Sequence, residues 1–342
     1  MSKFSIFLSF VLAIVLLGFS VVYFQNREDN KLTVSASVSA KGQTESSNAQ
    51  KKPETEITIE KIPEPTATPQ KTIQVNHNGE LQTMNLEEYI IDVVAGEVYP
   101  TYEPEALKAQ AVAARTYLYY KMSGGGCANG GDICTNSAHC QAFKSNEQMR
   151  SQWGENYEKY YNAIAQAVTA TSGEIITYES KPICALYHSS SVGSTEDCVS
   201  VFGGNYPYLV SVETTADKSE EELSESLTLT KDQFTEKINA AFEDIHVDSI
   251  AIKIDSYTAA GRVATVQIGE SIVKATALRT ALGLRSTDFT FENNKNSITF
   301  YMKGYGHGVG MSQHGAQGMA LEGYDYKQIL THYYTGTTIE QA

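Results

Sequence analysis

The chain has 342 residues, 42% of them hydrophobic, with 21 tyrosines and a formal net charge of −14. That length accommodates two modest folded units plus an appendage, and the apolar share is enough for real cores. An acidic chain with no basic stripe to neutralise phosphates argues against a nucleic-acid partner. Its tyrosines suit sugars, because a ring face stacks while the hydroxyl bonds.

Ser5 to Phe24 form an uncharged run of twenty apolar or small residues, about the length that crosses a bilayer core. No A-x-A cleavage site follows Phe24, so the run reads as an uncleaved anchor. A cleaved signal is the alternative, and it would change the attachment but not the compartment. Residues 1–4 are then a cytoplasmic tail, and the ectodomain lies outside the cytoplasm on a single-pass anchor in the cell membrane. Residues 25–70 are polar, carry Pro53, Pro63, Pro65 and Pro69, and lack an apolar period, which describes a disordered tether. The remainder is expected to be α+β, with helices mixed among short antiparallel strands and hairpins. Its expected parts are a core over 71–215 with a metal loop, a small α+β insert over 216–288, and a return to the core over 289–342.

Lys71 to Asn85 reads as a hairpin turned by Asn78-Gly79. Asn85 then caps a helix with Glu87 and Glu88 in its first turn, and the helix ends at Ala95-Gly96-Glu97-Val98-Tyr99-Pro100. Glu97 sits where the helix dipole disfavours its charge and where Val98, Tyr99 and Pro100 could shield it. Both effects raise a carboxyl pKa, as a general acid requires; a solvated glutamate at a helix end is the bland alternative. Pro104 opens a second, alanine-rich helix through Tyr120. Gln110 and Arg115 are its long polar groups, read either as surface residues or as groups that orient Glu97 or a saccharide.

Cys127, Cys134, His139 and Cys140 bring three thiols and an imidazole into fourteen residues, enough for one tetrahedral structural zinc site. Disulfides compete with that reading in an oxidising compartment. Zinc would leave Cys184 and Cys198 to pair or stay free. With all four positions filled, the metal braces a loop and activates no water.

A helix is expected through Tyr160, Ile164 and Val168, then strands over 174–178 and 183–188. The second empties into Tyr187, Ser189, Ser190 and the small hydroxyls up to Glu196, a composition shared by site loops and plain turns. Residues 216–226 read as an acidic surface linker. Thr230 caps a further helix, strands follow over 250–256 and 263–268, and Gly283 stops a helix over 275–282. A hairpin over 289–302 leads into Gly304 to Gly318, where six of fifteen residues are glycine, with Tyr305, His307, Gln313 and His314 among them. Glycine permits close approach of another surface, so this stretch reads as a backbone-lined ligand groove; a buried turn with packed histidines is the alternative. Helices around Met319 and over 326–334 complete the chain.

Taken together, Ala95-Gly96-Glu97-Val98, the segment Leu107 to Tyr117, the loop Tyr187 to Glu196, Leu282-Gly283-Leu284-Arg285-Ser286 and the glycine-rich stretch resemble the stage II sporulation protein D family, whose wider relatives include amidase enhancers. The resemblance runs from about Lys71 to the C-terminus. It implies a peptidoglycan lytic transglycosylase, a lyase that cuts between N-acetylmuramic acid and N-acetylglucosamine in peptide-stripped strands and leaves 1,6-anhydro ends. It places the catalytic glutamate on Glu97 and lets Gln110, Arg115, Tyr187, Ser189, Ser190, Tyr305, His307, Gln313 and His314 serve the substrate. It further implies a role in engulfment during sporulation at the mother-cell side of the septum. The implied partners are an amidase/endopeptidase (sporulation protein P) and a membrane protein (sporulation protein M). Relatives that bind zinc use two cysteines and two histidines, so Cys127 departs from that set; the lysine often found after Pro-Tyr-Leu is Val210 here. A non-catalytic glycan-binding enhancer of an amidase is the alternative function. A zinc amidase would need an open metal position, which four ligands do not leave.

Overall fold

The computed structural model describes residues 71–342, so the expected tail, anchor and tether over 1–70 lie outside the described residues. Among the described residues no helix is long and apolar enough to cross a membrane. The architecture is α+β, with mostly short strands.

The chain opens with β1 (Thr72–His77) and β2 (Glu80–Asn85), an antiparallel hairpin in full register from Thr72↔Asn85 to His77↔Glu80. Its turn uses Asn78 and Gly79, both at positive φ, the pair that matches the twist of the flanking strands. The Asn85 side chain accepts from the Glu87 and Glu88 amides and starts α1 (Leu86–Glu97). Next comes α2 (Pro104–Ser123), opened by proline where no N–H is needed. This helix is buried on two faces. Leu107, Ala111, Ala114 and Leu118 join one core with α1 and the hairpin, whereas Ala109, Val112 and Ala113 join a second core with residues 176–209 and 309–334. Small side chains on both faces allow the two cores to share one helix.

After β3 (Ile133–Cys134), which pairs in parallel with β1, come α3 (Asn146–Trp153) and α4 (Tyr157–Ala170). The helix expected through Tyr160, Ile164 and Val168 is α4, set apart from α3 at Gly154, where φ is +51. A Ser145–Gln148 capping box, unread in the sequence, starts α3. The strand expected over 183–188 is present only at its last two residues. Following β4 (Glu174–Tyr178), β5 (Lys181–Pro182) completes a hairpin with it, and β6 (Tyr187–His188) pairs elsewhere. Then come β7 (Gly193–Ser194), a short α5 (Cys198–Phe202) and β8 (Glu213–Thr214).

A third core gathers β9 (Ser224–Thr230), α6 (Lys231–Ala241), β10 (Ile252–Tyr257), β11 (Val263–Ile268), β12 (Ser271–Lys274) and α7 (Ala275–Leu282). The hairpin of β13 (Phe289–Asn293) and β14 (Ser297–Lys303) belongs to it as well. β9 pairs along the whole of β14, and Phe289, Ile298, Phe300 and Met302 are buried there. The chain ends with β15 (Met311–Ser312), α8 (Gln313–Leu321), α9 (Tyr326–Tyr333) and β16 (Thr338–Gln341), the last adding an unforeseen strand to β4.

The glycine-rich stretch corrects the expectation of a ligand groove lined by glycine backbone. Gly304, Gly306, Gly308 and Gly310 all have positive φ, and a Cβ on any of them would strike another part of this chain: Ser190, His188, Arg262 and Leu186 respectively. Their bareness lets two segments of the protein pack backbone to backbone, so that β15 can lie parallel to β6. Gly310→Ala places a Cβ against the Leu186 carbonyl in a left-handed conformation. We expect a loss of about 2–4 kcal/mol from strain and overpacking combined, read as a lowered midpoint in urea unfolding.

Candidate active site and metal loop

Glu97 is the last residue of α1 and is partly buried. Its Oε1 accepts from the Ala142 amide at 2.6 Å and from the Tyr187 hydroxyl at 3.3 Å. Tyr187 in turn accepts from Gln141 Nε2 at 2.8 Å. Burial raises the Glu97 pKa above the ordinary carboxylate value, opposed by the Ala142 N–H, Tyr187 and Gln313. With two donors on Oε1, the acid's proton belongs on Oε2. Gln313, at the start of α8, donates to Gln110 Oε1 at 3.4 Å, so Gln110, 1% exposed, supports the site from behind.

The segment after Glu97 is fastened to α8. Tyr102 OH lies 3.2 Å from His314 Nδ1, and the Glu103 amide donates to Gln317 Oε1 at 2.7 Å. His314 Nδ1 also meets Asp217 Oδ1 at 2.6 Å, which draws one residue of the supposed surface linker into the site. Exposed Tyr99 stands over this group, its ring 5.8 Å from Tyr102 and 6.4 Å from His314. A carboxyl group flanked by amides and aromatic faces can bind a sugar and protonate a glycosidic oxygen.

Arg115, Ser190 and Tyr305 make their bonds outside that group, and Ser189 joins it only through its backbone. Arg115 is fully buried, donating to Glu87 through Nε at 2.9 Å and Nη2 at 2.6 Å, and to the Glu174 and Val168 carbonyls. Glu87 is ten residues before Glu97, about 15 Å away along α1; Arg115 braces the far end of that helix. Ser190 exchanges backbone bonds with Tyr305, and the Ser189 carbonyl accepts from the His314 amide. Tyr305 carries the Arg285 guanidinium over its ring at 4.6 Å.

His307 packs against His188 and Phe202 in a second polar cluster. There His188 Nε2 meets Ser191 Oγ at 2.6 Å, and Arg262, from the β10–β11 turn, donates to the same hydroxyl at 2.8 Å. Burial, first of all, pushes His307 down to about 4 and His188 well below the usual histidine range. Both stay neutral in the fold, whereas an unfolded chain protonates them below about pH 6.5. Stability contributed this way is present above that pH and lost as pH falls towards 4. His307→Gln should flatten the decline of Tm between pH 7 and 4.5 relative to wild type.

The four residues of the expected metal loop come together in a cluster that could hold a metal ion. The ligand atoms of Cys127, Cys134, His139 and Cys140 all lie within 4.8 Å of one another. His139 Nδ1 faces the three sulfurs at 3.4, 3.4 and 3.3 Å, and Cys140 Sγ lies 3.8 Å from Cys127 Sγ. Tetrahedral zinc requires edges of about 3.6 Å for N···S and about 3.8 Å for S···S. One imidazole lone pair cannot serve three thiols, so the arrangement fits a shared cation. The Asn129 amide donates to Cys127 Sγ at 3.4 Å, as a thiolate favours. Cys184 and Cys198 are buried free thiols.

Sequence reading missed Gln141, Tyr102, Asp217 and Arg262. Only Gln141 carried a signal, since it directly follows the ligand Cys140.

The family profile described as Stage II sporulation protein matches residues 74–178. The chain is 38% identical over 267 residues to Stage II sporulation protein D of Bacillus subtilis, covering 78% of this chain and 77% of that protein. The same identity and shares hold for Stage II sporulation protein D of Bacillus amyloliquefaciens. The Amidase enhancer of Bacillus subtilis is 29% identical over 72% of this chain and 39% of its own length. Identity at that level across most of both chains, with a family profile whose match includes Glu97, shows that this chain belongs to the stage II sporulation protein D family.

Proposed function

We propose that the chain degrades cell-wall peptidoglycan during sporulation as a lytic transglycosylase on peptide-stripped glycan strands. One observation carries the reading: Glu97 is a carboxyl with a raised pKa, and among the described residues no second carboxylate hydrogen-bonds to it or to Tyr187, Gln141 or Gln313, the nearby Asp217 being engaged by His314. Most glycosidases need two. A single one suffices when the substrate's own C6 hydroxyl attacks its anomeric carbon. Glu97 Oε2 protonates the leaving oxygen as the C1–O4 bond breaks; the resulting carboxylate then takes the C6 hydroxyl proton as the anhydro ring closes. Tyr187 and the Ala142 amide hold the carboxylate between these two events, and Gln313 and Tyr99 flank the sugar.

Cys127, Cys134, His139 and Cys140 would hold zinc, which with four protein ligands supplies loop closure rather than an activated water. The uncleaved anchor over 5–24, the mother-cell orientation and the work beside sporulation proteins P and M belong to the same proposal. Likeness to an Amidase enhancer supports a second reading, a non-catalytic glycan-binding subunit. Digestion of peptide-free strands separates the two: anhydro-ended fragments that vanish with Glu97→Gln support the enzyme, and glycan binding without fragments supports the enhancer.

A further inference from the structure

We propose that the metal loop is the positioning device of the catalytic acid, acting through the segment Cys140–Phe143 with Gln141 as the positioning residue. The proposal rests on the reading of Glu97 as that acid. Cys140 is a ligand position; Gln141 and Ala142, the next two residues, supply the donors that organise Glu97. Residues 141–145 form neither helix nor strand, so no ladder of their own fixes them. One end is held by the ligand cluster. The other is held where the Lys144 amide donates to the Asp92 carbonyl at 3.0 Å and Ser145 caps α3.

Between these ends the segment lies hard against α1. A Cβ on Gly96 would come within 2.9 Å of Phe143 N and 3.0 Å of the Ala142 carbonyl carbon, and the Phe143 ring stacks on Tyr89 at 6.0 Å. A shift of about 1 Å at Cys140 therefore reaches the carboxylate directly, a displacement large enough to matter for catalysis.

Gln141 also sets the direction of the hydrogen bonds. Its side chain is 3% exposed, and one of its amide atoms faces the Ala114 carbonyl at 3.4 Å. A carbonyl only accepts, so that atom is Nε2. The same Nε2 donates to the Tyr187 oxygen, which leaves the Tyr187 proton for Glu97 Oε1. Gln141 Oε1 is buried without a partner, a cost accepted to hold this polarity.

The experiment uses the zinc-loaded protein and the same protein stripped by chelation, followed by amide hydrogen exchange. Stripping should lower protection of the Ala142 amide at least tenfold while Ala111 and Val112, inside α2, stay within twofold. Unchanged protection at Ala142 overturns the proposal, and so does equal loss at all three, because the metal then holds the whole fold and not the segment. Gln141→Leu should keep the thiolate absorption of the cobalt-substituted loop and a KM within twofold, with kcat reduced at least thirtyfold; an unchanged kcat overturns the role of Gln141. If loaded Glu97→Gln keeps wild-type activity, the acid assignment fails, and the exchange arm still decides whether the metal holds the segment.

Discussion

Glu97→Gln is expected to reduce release of anhydro-ended fragments by about a thousandfold while glycan binding stays within about threefold. General acids contribute roughly two to four powers of ten, and in the proposed mechanism one carboxyl performs both proton transfers. Glutamine keeps the shape and still accepts from Ala142 and Tyr187 through its oxygen, so folding and binding should survive. The pH dependence of kcat/KM supplies an independent check. Glu97 must be protonated in the free enzyme, and burial raises its pKa. Activity should therefore fall as pH rises through a value above about 4.3, the ordinary glutamate figure. Replacing Tyr187 with Phe removes a donor that favours the charged form, so that limb should move to higher pH. A limb that stays in place in Tyr187→Phe, or fragments released normally by Glu97→Gln, would remove Glu97 from the mechanism.

Arg115→Met should lower stability by about 2–4 kcal/mol, with the metal loop and the Glu97 cluster still intact in whatever fraction folds. The guanidinium is fully buried and satisfies Glu87 and two carbonyls at once. Methionine fills much of the volume but removes four donated bonds, leaving Glu87 Oε1 with the Gly173 amide alone and the Val168 carbonyl with Thr171. The Glu87 side chain is 31% exposed and can turn towards water, which limits the cost. Equilibrium unfolding in urea measures it. A substrate role for Arg115 predicts the opposite pattern, normal stability with a raised KM. Arg115→Lys should recover little, since one ammonium cannot reproduce a fork that engages a carboxylate with two parallel bonds.

Much of the local structure was legible because it follows rules of short range. Asn78-Gly79 requires one turn, Asn85 and Thr230 cap the helices that follow them, and Gly283 ends α7 in a left-handed conformation. The cluster of Cys127, Cys134, His139 and Cys140, which could hold a metal ion, was legible for the same reason, fourteen residues of chain being short enough for spacing to speak. Where local rules were silent, reading failed. Residues 183–188 have strand-like composition, yet only Tyr187 and His188 form a strand, and their partner β15 lies more than a hundred residues later. Asp217 sits in an acidic run that resembles solvated linker, and only packing against His314 distinguishes it.

The glycine-rich stretch shows the division most clearly. Composition alone determined that something must approach its backbone closely, since six glycines remove the side chains that would prevent it. It could not say what approaches. The fold answers that other segments of the same chain do, at Leu186, His188, Ser190 and Arg262. Glu97 was legible as a carboxyl at a helix end, because helix periodicity and capping are local. That Ala142, Tyr187 and Gln313 converge on it was decided by tertiary structure alone: they lie 45, 90 and more than 200 residues away in sequence, and contacts at such separation arise from the packing of whole cores on α2, which no local pattern encodes.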